Sequence, residues 1–195
     1  TMNTTPRRRR LAALSLAPLT FALAVAIAAG TAQADVVTDL NAVVASAPVA
    51  PRFGGPQQQS RAIAMIQIAV HDALNSIDRR HETYSVVPTA SANASPDAAV
   101  AAAMRRVTLA LLDPVPPSAD KTAAIDAVNA AFDNVLGAMP YSASENAGIA
   151  AGNAAGDAIL LARANDGSAT PNTPYVLAPG IGVYQPTPNP EFPAQ

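Results

Sequence analysis

Apolar positions recur at helical spacing through most of the chain. In residues 61–78, RAIAMIQIAVHDALNSID, a turn of about 100° per residue puts Ile63, Ile66, Val70, Ala73, Leu74 and Ile77 on one face. Met65, Ala64 and Ile68 fall elsewhere on the circumference. The pattern therefore predicts a helix from about Gln57 to Asp78 that is buried on several sides. His71, Asp72 and Asn75 interrupt its second face. Asn75 stands four residues after His71 and three after Asp72, so the three form one polar patch.

Four more segments read as helices between Asp35 and about Asp166. The first, DVVTDLNAVVASA, stops before Pro48 and is followed by the turn-rich PVAPRFGGPQ. The third has Ser95 at its N-cap, Pro96 at its first position and Asp97 at the positive end of the dipole, and ends at Asp113. The fourth runs from Ala119 to Ala138 under a Ser118 cap. The fifth runs from Ala143 to Asn165, with Ser142 and Glu145 as a capping box and Gly167 as terminator. Short connections favour antiparallel neighbours, and no alternating strand pattern is present. The fold class expected is all-α: an antiparallel helical bundle over residues 35–168. Residues 169–195 carry 7 of the chain's 18 prolines and read as an extended Pro-rich strap or linker.

Composition narrows the picture. Half of the residues are apolar, but alanine dominates them, with four Phe, four Tyr and no Trp. Such a chain packs helices closely through small side chains. The absence of cysteine removes disulfides, thiolate metal sites and a cysteine nucleophile. Formal charge is -2, and no basic stripe with interleaved aromatics exists, so nucleic acid is not an expected partner.

Residues 1–34 read as a signal peptide. Arg7, Arg8, Arg9 and Arg10 form a basic start, residues 11–29 an uncharged and mostly apolar stretch, and TAQA supplies small residues for cleavage after Ala34. Pro18 interrupts the apolar stretch, which favours a cleaved signal over a retained anchor. The mature chain is then exported, periplasmic or extracellular, with no stable membrane span after cleavage.

The candidate chemistry lies in the second helix. Arg61 is eleven residues from Asp72, about 16 Å along the axis, and so is not its partner. A buried Asp72 must meet another helix, a backbone amide, or an arginine such as Arg105 or Arg106. His71 and Asp72 could be a general acid/base pair; the reading adopted is a hydrogen-bonded network that fixes packing. Spacing does not force His71, Asp72 and His81 around one metal ion. No G-x-S-x-G elbow or Gly-rich phosphate loop is present; FGGP and PGIG are turns.

The order R-A-x-A-x-x-x-x-A-x-x-D-A-x-N, from Arg61 to Asn75, followed by SIDRRHETY, resembles the N-terminal part of bacterial vanadium-dependent haloperoxidase-like proteins of the PAP2 (type 2 phosphatidic acid phosphatase) superfamily. AAVAAAMRRVTLALL, AGIAAGNAAGDAILLARANDG and GIGVYQPTPNPEFPAQ extend the resemblance over most of residues 35–195. It implies an all-α bundle whose oxyanion site binds vanadate or a phosphate ester. That site uses a Lys six residues before Arg-Pro, a Pro-Ser-Gly-His, and a Ser-Arg followed by a His, because cations and fixed donors must neutralise an oxyanion. None of these is in this sequence, whose one lysine is Lys121.

The resemblance therefore implies an incomplete half of such a bundle, inactive alone, with no catalytic residue and no cofactor or metal of its own. Arg61, His71, Asp72 and Asn75 are then a supporting polar network. Vanadate would belong to a full-length parent, and the missing C-terminal half is the expected partner, with a homo-oligomer as a further one. Exposed faces awaiting that half are expected to be unusually apolar. The alternative is a complete small secreted helical protein that binds a partner through its Pro-rich tail.

Overall fold

A computed structural model describes residues 35–171, 178 and 180–185. The expected signal peptide, its expected cleavage point and most of the expected Pro-rich strap lie outside the described residues. The described residues all belong to the compact unit that begins at Asp35.

This unit is all-helical, and no strand occurs among the described residues. Helix α1 spans Val36–Val44, α2 Pro56–Ile77, α3 Pro96–Leu112, α4 Ala119–Gly137 and α5 Ala143–Ala162, with a 3-10 turn at Ala50–Phe53. Four helices begin under a side-chain cap: Asp35, Ser95, Ser118 and Ser142 each accept the amide of the residue three positions on. Helix α2 starts one residue earlier than its pattern suggests, because Pro56 suits a first helical turn. Helix α1 stops at Val44, short of Ala47, where Ser46 turns its hydroxyl back onto the carbonyl of Val43 at 2.6 Å. Helix α5 stops at Ala162, and Gly167, at φ +85°, turns the chain a few residues further on. The capping box at Ser142 is half formed. Ser142 accepts the amide of Glu145 at 3.2 Å, but the buried Glu145 Oε2 has no partner.

Helices α3 and α5 make the most extensive contact, and α2 packs on both; α4 leans on α3 and α1. The α3–α5 contact is a seam of small residues. Gly148, Gly152 and Gly156 recur every four residues along α5 and face α3. A methyl group added at Gly148 would lie 2.3 Å from the carbonyl of Ser95, and one at Gly152 would lie 2.2 Å from that of Ala99. Opposite them α3 buries Ala98, Ala99, Ala102 and Ala103. The backbones thus approach as closely as Cβ-free packing permits. At the ends of the seam, the carbonyl of Ser144 accepts the amide of Ser95 at 2.9 Å, and Arg106 pairs with Asp157 at 2.6 Å.

The buried face of α2 holds Ala62, Met65, Ile66, Ala69, Val70 and Ala73. It is rotated about 60° from the stripe that the large aliphatic residues suggest. Ile63, expected in the core, is 38% exposed, while Met65 is 4% exposed. The alanines decide this: Ala62, Ala69 and Ala73 let α2 lie close to its neighbours, which the bulkier face would prevent. Exposed large apolar residues are spread over separate segments, with Ile63 on α2, Tyr84 and Val86 in the α2–α3 loop, Tyr141 before α5 and Leu161 at its end. Among the described residues no helix is long and apolar enough to cross a membrane.

Replacing Gly152 by Ala should destabilise the bundle by about 2–3 kcal/mol, because the added methyl meets a carbonyl that cannot retreat without parting the helices. The same change at Gly137, where a Cβ meets nothing within 4 Å, should be stabilising by up to about 1 kcal/mol. Urea unfolding of the two variants against the parent checks both.

Candidate functional site

The last turns of α2 carry the polar patch. Asp72 is fully buried, and its carboxylate accepts three donors. The amides of Tyr84 and Ser85 donate to Oδ1 and Oδ2, each at 2.7 Å, and His71 Nδ1 lies 3.0 Å from Oδ1. Asn75 works in parallel. Its Oδ1 accepts the amides of Arg80 at 3.2 Å and His81 at 2.8 Å, while its Nδ2 donates to the carbonyl of His71 at 2.8 Å. One helical turn thus grips four amides of the loop after α2. That loop is irregular, so its N–H groups have no ladder to join, and a buried amide without an acceptor is costly.

Arg105 and Arg106 do not meet Asp72. Arg105 donates to Asn129 Oδ1 at 2.8 Å and lies 4.8 Å above the ring of Phe132; Arg106 pairs with Asp157. Backbone amides are the better partners here, because two N–H groups held in adjacent peptide planes satisfy both carboxylate oxygens without desolvating a second charge.

Arg61 lies apart from this patch. Its Nε and one terminal nitrogen donate to Asp166 Oδ2 at 3.1 and 2.9 Å, and that nitrogen also reaches the carbonyl of Arg163 at 3.4 Å. Arg163 in turn donates to the Tyr84 hydroxyl and lies 5.2 Å over its ring. The end of α5 is therefore tied both to the start of α2 and to the loop held by its end. The sequence places Arg61 among framework residues but does not lead to Asp166; the D-G-S turn at residues 166–168 is the signal that could have pointed to it.

The structure also brings His81 beside His71. Their ring centroids are 6.3 Å apart, with the planes 26° from parallel. Both line an open pocket of about 420 Å³ between the end of α2 and the start of α3. Leu74, Ile77 and Pro96 form its apolar surface, and Asp78 and Arg80 stand at its edge, paired at 2.7 Å. A carboxylate has only acceptors to offer, so Asp72 directs the proton of His71 to Nδ1 and leaves Nε2 open. No group of three or more His, Asp or Glu side chains among the described residues is arranged to hold a metal ion.

No family model, no curated protein and no solved structure matches this chain.

Asp72→Ala should cost about 2–4 kcal/mol in urea unfolding, since it strands two buried amides, and hydrogen exchange at Tyr84 and Ser85 should accelerate. Asp166 should titrate at about 2, below the ordinary 3.8, chiefly through the hydroxyl and amide of Ser168 and then through Arg61. Its contribution to stability is therefore complete above about pH 3.8 and disappears as pH falls toward 2. Carboxyl NMR should show the midpoint rising in both Ser168→Ala and Arg61→Met.

Proposed function

We propose that this chain is the supporting helical part of an exported vanadium-dependent haloperoxidase-like or PAP2 phosphatase-like enzyme, and that it does not catalyse by itself. Support comes from the use to which the matching residues are put. Arg61, Asp72 and Asn75, which carry the resemblance, are engaged in ion-pair and amide contacts that fix the chain. None offers a free cationic or nucleophilic group to an oxyanion. Asp72 is an anion itself, and its field opposes vanadate or phosphate.

The chemistry of the class requires a lysine, arginines and a histidine converging on one oxyanion. In this chain Lys121 donates to the carbonyls of Asp113 and Val115, at 2.8 and 2.7 Å, at the far end of α3. Among the described residues the arginines pair with carboxylates, an asparagine or ring faces on separate elements. A C-terminal half bearing the three oxyanion motifs would be the partner that completes the site, docking on this all-helical scaffold.

Residues 35–195 alone should show no peroxide-dependent bromide oxidation, no hydrolysis of p-nitrophenyl phosphate above background, and no vanadate binding by ⁵¹V NMR. The protein recovered from its native source should have an intact mass well above that of residues 35–195 and one of the two activities. Turnover by residues 35–195 alone, or a native mass equal to theirs, would overturn the reading.

A further inference from the structure

The pocket at the end of α2 contains both histidines of the chain. Its electrostatics favour a cation. Asp78 and Arg80 neutralise each other at the edge, and buried Asp72 leaves one uncompensated carboxylate directly behind His71. An anionic ligand would face that charge; a cation is drawn to it.

We propose that His71 and His81 together bind one borderline divalent transition-metal cation of the Zn²⁺, Ni²⁺ or Cu²⁺ class. Four observations converge. His71 is oriented as metal-binding imidazoles are, with one ring nitrogen on a carboxylate and the other open. Asp72 is rigid in that role, because two amides hold it at 2.7 Å. His81 is delivered by its own backbone, whose amide rests on Asn75 Oδ1 at 2.8 Å, one turn along the same helix.

The fourth observation is distance. With metal–nitrogen bonds of about 2.0–2.1 Å, and about 1.1 Å more to each ring centre, two imidazoles on one ion have centroids about 5 to 6.5 Å apart. The observed separation is 6.3 Å with the rings stacked, the wide end of that range, so His81 must turn to close onto an ion held by His71. His81 is exposed, so a turn of its side chain alone can bring a nitrogen onto the ion. Two ligands leave the remaining positions to water, and the open pocket has room for it. Imidazole selects against Mg²⁺ and Ca²⁺, which require oxygen shells. Asp72 does not ligate here: its three hydrogen bonds make it the group that orients His71.

The test is titration of the protein with ZnCl₂ and CuCl₂ by calorimetry, with ¹⁵N NMR of the imidazole nitrogens. One ion per chain should bind, Cu²⁺ more tightly than Zn²⁺, and the ring signals of both histidines should move together. His81→Gln, at an exposed position, should leave the circular dichroism unchanged and weaken binding by about tenfold or more. Asp72→Asn should keep the one-to-one stoichiometry and weaken binding by about tenfold, as loss of an orienting carboxylate does. Equal affinity in His81→Gln and the parent, or one histidine left unmoved at saturating Zn²⁺, would overturn the assignment. Should Asp72→Asn fail to fold, His81→Gln and the ring signals decide the matter alone.

Discussion

Helices α3 and α5 touch through glycine and alanine, and the rest of the bundle depends on how near that lets them come. Gly148, Gly152 and Gly156 place bare backbone against the carbonyls of Ser95 and Ala99 and the side chain of Arg106. Helices this close have no room for large side chains between them. Stabilisation comes instead from many close contacts along both backbones, individually small and collectively large. A chain with no tryptophan and four phenylalanines can form a core on these terms. Helix α2 then lies across the pair on Ala62, Ala69 and Ala73 together with Met65, Ile66 and Val70, and Ile63 turns out toward solvent.

Close packing of this kind fixes helix axes but leaves the chain between them without partners, and the polar residues of α2 supply these. Asp72 and Asn75 hold the amides of residues 80, 81, 84 and 85. Tyr84, once positioned, receives Arg163 from the end of α5. Arg61 takes Asp166 a few residues later. Loop, α2 and α5 are thus joined in a ring of polar contacts around the end of the seam. Burial sets the weight of each. Asp72 is inaccessible to water, so its amide bonds are not exchanged for solvent. The Arg79–Glu82 pair, exposed on both sides, adds little.

How much of this could be read beforehand varied with the physics involved. Helix starts were legible because a serine before a proline or an acidic residue is a local signal, and the three serine caps stand where the sequence puts them, while the Asp35 cap of α1 emerges only in the structure. Helix ends were less so: α1 is cut short by Ser46, and α5 by a turn that only later reaches Gly167. The face of α2 was read about 60° off, with Ile66, Val70 and Ala73 buried as expected but Ile63 exposed, because ranking residues by hydrophobicity favours isoleucine, whereas close approach favours alanine. The patch of His71, Asp72 and Asn75 was visible as a patch, and backbone amide stood among the partners considered for Asp72. Which amides they were depended on the path of a loop with no periodicity. His81 beside His71 is a product of that same path.

His71 and Asp72 also form a pair with a chemistry of its own. An aspartate behind a histidine is the arrangement of a general base, in which the carboxylate fixes the tautomer and the far nitrogen takes a proton. Here the carboxylate has further duties, since two loop amides depend on it, so its position answers to the fold first. A base also needs something to deprotonate. Ser85, whose amide is part of that grip, is itself buried. His71 instead lines a pocket whose other imidazole is His81. An imidazole oriented by a buried carboxylate, with a second imidazole 6.3 Å away, is the arrangement on which the proposed metal site rests.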